Sequence, residues 1–104
     1  MAKRIVILGA GESGTGAAVL AKKQGFDTFV SDMSCINEKY KKILNDRNIE
    51  WEEGKHTEAL ILNADEIIKS PGIPHEAPII QKPKNQGTPT TSALELAGSH
   101  TAAH

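Results

Sequence analysis

Near its beginning the chain reads Arg4-Ile5-Val6-Ile7-Leu8-Gly9-Ala10-Gly11-Glu12-Ser13-Gly14, an apolar run followed by a glycine-rich loop. An unbroken run of aliphatic, mostly β-branched residues is typical of a central parallel strand that is covered on both faces. The residues that follow, Glu12 to Gln24, are rich in Gly and Ala and stop at Gly25. They predict a helix that packs closely on the sheet.

The alternation of strand and helix patterns continues along the chain. Three further strands are predicted, at residues 28–30, 49–51 and 66–69. Between them we expect an amphipathic helix at 38–47, with Tyr40, Ile43 and Leu44 on one side, and a short helix capped by Thr57 and ending at Leu62. This order requires right-handed crossovers. It predicts an α/β fold, a Rossmann-like parallel sheet of four to five strands with helices on both faces.

Beyond the fourth strand the pattern is weaker. A helix is expected at 78–86, and Pro83 in its interior is expected to break or kink it. A last short strand at 88–91 and a helical tail at 92–97 follow. The predicted organisation is one Rossmann-like domain at 1–98 and a linker or tail, expected to be disordered, at 99–104.

The loop Gly9-Ala10-Gly11-Glu12-Ser13-Gly14 has the pattern G-x-G-x-x-G directly after a strand and before a helix. Its glycines allow a tight turn and a close backbone approach, and the free N–H groups at the helix start favour a diphosphate. Asp32 stands 18 residues beyond Gly14, at the end of the second strand. Its carboxylate can accept a hydrogen bond from a ribose hydroxyl or a base N–H. The competing interpretation is local turn chemistry, with Asp32 starting a turn and Ser34 capping a helix.

A second loop, Lys69-Ser70-Pro71-Gly72-Ile73-Pro74, follows the fourth strand. Carboxyl ends of parallel strands meet at one edge of a sheet, so this rigid turn and the Ser70 hydroxyl are expected beside the glycine loop. A complete dinucleotide fold has two halves and about six strands, more than this chain supplies. At best half of a dinucleotide is expected to be held.

Composition and residue counts narrow the function classes. The formal net charge is −1, and no apolar run reaches the roughly 18 residues of a membrane span, so neither nucleic acid nor membrane is expected as a partner. The single Cys35 cannot form an intrachain disulfide, and Met1 is followed almost at once by a strand; both favour a cytoplasmic setting. The four His residues show no i,i+4 pair on an apolar helix face and have no Cys partner at zinc spacing, so no metal site is predicted.

Two adjacent acidic pairs, Glu52-Glu53 and Asp65-Glu66, point to opposite faces of an extended chain. Such a pair does not easily share a substrate, and we expect both pairs to be solvated surface. Trp51 is expected to pack in the core or at the sheet edge.

Three segments together, residues 6–14, 30–32 and 63–74, resemble the N-terminal domain of the D-glutamate-adding Mur ligases, the MurD family. The resemblance covers about residues 3–98 and implies that the domain holds the UDP part of UDP-N-acetylmuramoyl-L-alanine. In that family the glycine loop cradles the diphosphate, the acidic residue and its neighbour meet the uridine, and the turn lines the other side. The corresponding residues here are Gly11, Glu12, Ser13, Gly14, Asp32, Met33, Ser70, Pro71 and Gly72. Met33 and Ser34 stand where some members have Thr and Arg, which leaves backbone contacts to the uracil at these two positions.

In the same family ATP, with Mg²⁺, phosphorylates the substrate carboxylate, and the amine of D-glutamate attacks the acyl phosphate. The P-loop pattern T-G-x-x-G-K-[ST] is absent from the 104 residues; Gly54-Lys55-His56 does not qualify, because the general P-loop pattern G-x-x-x-x-G-K-[ST] requires a Gly five positions before Gly54, where Ile49 stands. The resemblance thus implies an isolated domain without catalytic residues or cofactor, lacking the central and C-terminal ligase domains. Two alternatives stay open: a regulatory domain that senses NAD or another adenine nucleotide, and a structural domain without a ligand.

Overall fold

Strands and helices alternate throughout residues 3–74 and 76–92, the part of the chain that the computed structural model describes. The elements, in chain order, are β1 (Arg4–Leu8), α1 (Glu12–Lys23), β2 (Asp27–Asp32), α2 (Glu38–Asp46), β3 (Glu50–Glu53), α3 (Glu58–Ile61), β4 (Glu66–Lys69), α4 (Pro78–Asn85) and β5 (Thr90–Ser92). Of the helical tail predicted at 92–97, Ser92 is instead the last residue of β5, and the remainder lies outside the described residues, as does the linker at 99–104.

The five strands form one parallel sheet in the order β3-β2-β1-β4-β5. β1 is central, with β2 on one side and β4 on the other; at its carboxyl end Leu8 pairs with Ser31 and with Lys69. The direction of winding reverses on either side of β1, and a crevice for ligands opens at such a switch point. The Rossmann-like α/β fold predicted from the sequence is confirmed.

Each face of the sheet has its own apolar cluster. On one face, Ala17, Ala18 and Ala21 of α1 and Leu44 of α2 pack against a cluster that includes Ile7. On the other face, Ile61 of α3 and Ile80 of α4 belong to a cluster built on Val6, Leu8, Phe29 and Ile67. Alternate residues of β1 therefore serve opposite faces, which explains why this strand has no polar residue after Arg4.

A break of α4 at Pro83 and the packed side of α2 were wrongly predicted. Helix α4 continues through Pro83 to Asn85. Pro83 removes only one backbone donor, its ring is buried, and its carbonyl accepts hydrogen bonds from the N–H groups of Gln86 and Thr88. In α2 Leu44 is buried, whereas Ile43 is 37% exposed and does not belong to the packed side.

Several element ends also differ from the predicted ones. β2 extends over Asp27–Asp32 because it pairs with β1 on one side and β3 on the other, so Asp32 is the last residue of the strand itself. β3 and β5 begin one and two residues later than predicted, at Glu50 and Thr90. The cap of α2 is Asn37, whose side chain accepts a hydrogen bond from the backbone N–H of Lys39 at 3.0 Å, and not Ser34.

Candidate functional site

The glycine loop between β1 and α1 is built on close approaches. Gly9 has a φ of +96°, in the left-handed region that favours glycine, and a Cβ there would lie 2.6 Å from Cβ of Ser70. A Cβ on Gly14 would collide with the carbonyl oxygen of Gly9. Gly11 differs, because a Cβ at that position meets nothing within 4 Å. Gly9 and Gly14 are therefore required by packing, while Gly11 borders open space.

Helix α1 begins with unused backbone donors. Gly11 is its N-cap and has no side chain to cap it; the first turn closes with the N–H of Thr15 on the carbonyl of Gly11, at 2.9 Å. Among the described residues no group accepts a hydrogen bond from the N–H of Glu12, Ser13 or Gly14. These donors and the positive end of the helix dipole suit an anion beside Gly11.

Asp32 joins the end of β2 to the glycine loop. Its Oδ2 accepts a hydrogen bond from the backbone N–H of Ala10 at 2.8 Å, and its Oδ1 accepts one from the N–H of Ser34, also at 2.8 Å. The second bond is a local turn, as the competing interpretation expected. The first holds the carboxylate beside the glycine loop. Met33, the next residue, is 61% exposed.

The turn after β4 is fastened to the same loop. The N–H of Ser70 donates to the carbonyl of Leu8 at 2.8 Å, and the N–H of Ile73 donates to the carbonyl of Ser70 at 3.1 Å. Lys69 is only 5% exposed, and its ammonium donates to the carbonyl of Ile73 at 2.9 Å. Pro71 and Gly72 are exposed at the tip of the turn. The buried lysine, which sequence reasoning missed, thus helps to fix the shape of the turn.

The three segments that the sequence singled out therefore meet at one edge of the sheet. Gly9 lies against Ser70, and Ala10 is bonded to Asp32. This arrangement places Gly11–Gly14, Asp32–Met33 and Ser70–Gly72 at neighbouring positions along that edge. Their roles toward a ligand stay predictions.

A mostly apolar cavity of about 400 Å³ adjoins this edge. Met33 and Gly72 line it, so it is continuous with the predicted site. Its other walls come from the turn and α4, with the Glu58–Lys82 ion pair and His56 as polar members. The apolar lining residues are Met33, Ile73, Pro74, Ala77, Pro78 and Ile79.

Beneath the cavity a hydrogen-bond network centres on Glu52. Its Oε2 accepts from the Ser31 hydroxyl and from the Thr57 N–H, both at 2.8 Å, and its Oε1 accepts from the Thr57 hydroxyl at 2.6 Å. Burial raises the pKa of Glu52, but the bonds from Thr57 and Ser31 and the charge of Lys55 outweigh it, so the pKa is lowered overall. The Thr57 hydroxyl therefore serves Glu52 and does not cap α3.

The expectation that the acidic pairs are solvated surface holds for Asp65, which is exposed, but Glu52, Glu53 and Glu66 are half-buried, and all four carboxylates have partners. Glu53 accepts hydrogen bonds from the N–H of Ile36 at 2.8 Å and from Lys41 at 3.0 Å, and these two partners lower its pKa. Asp65 accepts from the N–H of Arg4 at 2.7 Å, and Glu66 pairs with Lys3 at 3.0 Å. Trp51 packs partly buried against the core, as predicted. The acidic side chains instead tie strands and loops together.

His56 lies between this network and the cavity. Its Nδ1 is 2.7 Å from the Ser31 hydroxyl oxygen. Burial lowers the pKa of His56, although the charges of Glu52 and Asp32 act in the opposite direction. The ring is therefore neutral at pH 7, since the lowered pKa lies below the ordinary value of 6.5.

Within residues 3–74 and 76–92 no group of three His, Cys, Asp or Glu side chains is placed to hold a metal ion. No helix in the same part of the chain is long and apolar enough to cross a membrane.

Comparison with known proteins places this arrangement in a family. The family model described as the MurD N-terminal domain matches residues 4–79. The chain belongs to the MurD N-terminal domain family. The match includes the glycine loop, Asp32 and the turn at Ser70–Gly72.

Curated relatives of this MurD N-terminal domain are named UDP-N-acetylmuramoylalanine--D-glutamate ligase. The chain is 70% identical over 99 residues to the one from Bacteroides thetaiotaomicron, which covers 95% of this chain and 22% of the relative. It is 55% identical over 97 residues to the one from Christiangramia forsetii, covering 93% of this chain and 22% of the relative. The chain thus spans about a fifth of the length of these relatives.

Solved structures with the same fold include other Mur-type ligases. A pseudomurein peptide ligase type C from Methanothermus fervidus aligns with a TM-score of 0.78 at 27% identity, covering 90% of this chain and 20% of that one. A UDP-N-acetylmuramate-alanine ligase from Thermotoga maritima aligns with a TM-score of 0.78 at 17% identity, covering 99% and 23%, and supports the fold alone.

Proposed function

We propose that this MurD N-terminal domain binds the UDP moiety of UDP-N-acetylmuramoyl-L-alanine, as part of an ATP-dependent ligase that adds D-glutamate to it during peptidoglycan synthesis in the cytoplasm. The observation that carries the proposal is the meeting of the glycine loop, Asp32 and the Ser70–Gly72 turn around the open space at Gly11. The names of the relatives support the substrate.

The diphosphate is assigned to the start of α1. The free N–H groups of Glu12, Ser13 and Gly14 supply donors that a phosphate oxygen accepts, and the helix dipole favours the negative charge. Gly11 leaves room for the phosphate because no protein atom lies within 4 Å of where its Cβ would be. The side chain of Glu12 is exposed and acidic, so its contribution comes from the backbone.

The uridine is assigned to the opening between Asp32 and the turn. The Asp32 carboxylate is held at the loop by the N–H of Ala10 and accepts a hydrogen bond from the nucleoside. Met33 on one side, and Ser70, Pro71 and Gly72 on the other, form the walls. The exposed apolar side chain of Met33 supplies a surface for a flat ring.

The catalytic steps are assigned to other parts of the ligase. The family resemblance assigns ATP and Mg²⁺ to a central domain and D-glutamate to a C-terminal one, and the 104 residues contain no P-loop pattern of their own. The chain by itself then binds substrate but does not transfer a phosphoryl group, because such transfer depends on positioned metal and phosphate-binding groups.

The test is replacement of Gly11 by Val, measured by isothermal calorimetry with UDP. A branched Cβ fills the space at the helix start, so Gly11→Val is expected to abolish UDP binding while thermal unfolding stays close to that of the parent. Gly16→Val is the matched control, since Gly16 is exposed on the same helix with nothing within 4 Å of its Cβ position. Unchanged UDP affinity in a folded Gly11→Val variant would contradict the assignment of the diphosphate.

A further inference from the structure

His56 presents one engaged and one open ring nitrogen at the cavity. Nδ1 is 2.7 Å from the Ser31 hydroxyl oxygen, whereas no group in the described part of the chain bonds Nε2. The cavity that His56 lines is otherwise mainly apolar. Its two charged side chains form an ion pair with each other, with 2.7 Å between Lys82 Nζ and Glu58 Oε1. Among the described residues, the lining of this cavity therefore provides no partner for Nε2.

The network beneath His56 fixes which nitrogen carries the proton. The Ser31 hydroxyl has one proton and three neighbouring acceptors: Glu52 Oε2 at 2.8 Å, the Lys55 carbonyl at 3.1 Å and His56 Nδ1 at 2.7 Å. The ionised carboxylate only accepts hydrogen bonds and is the strongest acceptor of the three, so Ser31 donates to Glu52. The contact of 2.7 Å is then a bond that Nδ1–H donates to Ser31. In the neutral ring this leaves Nε2 as an acceptor.

An acceptor in an apolar cavity selects a ligand with a donor at the matching place. Uracil has a single ring donor, N3–H, flanked by two carbonyl oxygens, whereas cytosine has an acceptor at N3. The cavity adjoins Gly72 and Met33 and so continues the opening assigned to the uridine. Its volume of about 400 Å³ is that of a small-ligand pocket.

We propose that His56 Nε2 accepts a hydrogen bond from N3–H of the uracil ring and thereby selects the base, an inference that rests on the proposed function. Glu52 and Ser31 act as positioning residues that hold the ring and its tautomer. Both Asp32 oxygens already accept backbone N–H groups at the glycine loop. Asp32 is therefore assigned to the ribose, the usual partner of an acidic residue at the end of the second strand.

The proposal predicts a pH dependence with a defined sign. Glu52 and Asp32 are the charges that favour protonation of His56, burial opposes it, and Lys55 lies beside the network while Glu58 and Lys82 face the cavity. Protonation turns Nε2 into a donor, which repels N3–H. UDP affinity is thus expected to fall as the pH drops below the ordinary histidine pKa of 6.5.

The experiment compares UDP, 3-methyl-UDP and CDP on the parent chain, His56→Leu, His56→Gln and Asp32→Asn by calorimetry at pH 7.5 or above. The parent is expected to prefer UDP to both analogues. His56→Leu should lose roughly 3- to 10-fold in UDP affinity, the worth of about one neutral hydrogen bond, and most of the discrimination against 3-methyl-UDP. His56→Gln retains an acceptor and should restore part of both. Asp32→Asn should weaken UDP and 3-methyl-UDP alike.

A second series repeats the UDP titration between about pH 5 and pH 8. The terminal phosphate of UDP titrates near pH 6 in every sample, so only the difference between the parent and His56→Gln reports on the ring. The parent should lose affinity faster at low pH. Discrimination that persists in His56→Leu but vanishes in Asp32→Asn, or identical pH curves, would overturn the role of His56 while UDP binding still supports the proposed function. A parent chain that does not bind UDP at all would overturn both.

Discussion

Gly14 and Gly16 lie on the same helix with opposite surroundings. A Cβ on Gly14 collides with the backbone oxygen of Gly9, which cannot move aside because Gly9 is itself packed against Ser70. Gly14→Ala is therefore expected to lower the free energy of unfolding by about 3 kcal/mol or more. Gly16→Ala, exposed and inside the helix, should raise it by roughly 0.5–1 kcal/mol. Urea denaturation of both variants checks the prediction, and equal effects would contradict the packing described.

Asp32 serves both the fold and, on the proposed function, the nucleotide. The Asp32→Ala variant leaves the N–H of the buried Ala10 without an acceptor. A loss of about 1–2 kcal/mol in the free energy of unfolding is therefore expected. UDP affinity per folded molecule should fall roughly 10- to 100-fold, through loss of a charge-assisted bond. Thermal melting and UDP calorimetry separate the two effects. A destabilised variant with parental affinity would show that Asp32 only holds the loop.

The residues that the sequence predicted at the site share one property: they belong to a contiguous pattern. The glycine loop and the Ser-Pro-Gly turn are recognisable from the spacing of their residues, and Asp32 is recognisable from its place after a strand. The roles of Glu52 and His56 were not predicted, because their partner Ser31 lies 21 and 25 residues away in sequence. That of Lys69 was missed because its burial depends on the packing of the turn around it.

At the scale of elements, β3 is joined to the loop after it through Glu52. The pKa of Glu52 is lowered on folding, so its contribution to stability is complete above the unfolded pKa, near 4.5, and is lost as the pH falls through the folded value. Glu52→Gln should cost roughly 1 kcal/mol at pH 7, and the difference from the parent should shrink toward pH 3. Denaturation at several pH values measures this.

Glu50→Gln is the matched control for this prediction. Glu50 is exposed on the same strand, and its side chain bonds no group in the described residues. Its stability curve against pH should overlay that of the parent. A Glu52→Gln variant that behaves in the same way would mean that the carboxylate contributes nothing to the junction.

The elements that the sequence predicted best are the central ones. β1 and β4 begin and end where expected, since β1 is apolar throughout after Arg4 and β4 has the buried pair Ile67-Ile68 at its centre. β2 was predicted too short, since Asp27, Ser31 and Asp32 are polar and their strand character comes from pairing with two neighbours. The break predicted at Pro83 was wrong because the Pro83 ring is buried in the folded protein, and helix propensity does not include such tertiary packing.

For the whole molecule, topology explains why sequence order located the site. With β1 between β2 and β4, the loops that follow these three strands are brought to one edge, although they are separated by up to about 60 residues. Strand-helix alternation predicts that these loops share one edge, and the observed strand order makes them neighbours there. The cavity beside α4 was not predicted, because its walls depend on where the turn and a helix at another sheet position come to rest.

The central claim is that this edge binds a uridine nucleotide, and competitive titration of the parent chain with UDP, ADP and NAD tests it most directly. With one domain supplying all contacts, we expect affinity for UDP in the micromolar to millimolar range and an at least 10-fold preference for UDP over ADP and NAD, about 1.4 kcal/mol. In NMR spectra recorded during the UDP titration, the amide chemical shifts that change should be those of Gly11–Gly14, Asp32–Met33 and Ser70–Gly72. Preferential binding of NAD or ADP at these residues would contradict the account and favour an adenine-nucleotide sensor, and no binding of any of the three would favour a domain with a structural role alone.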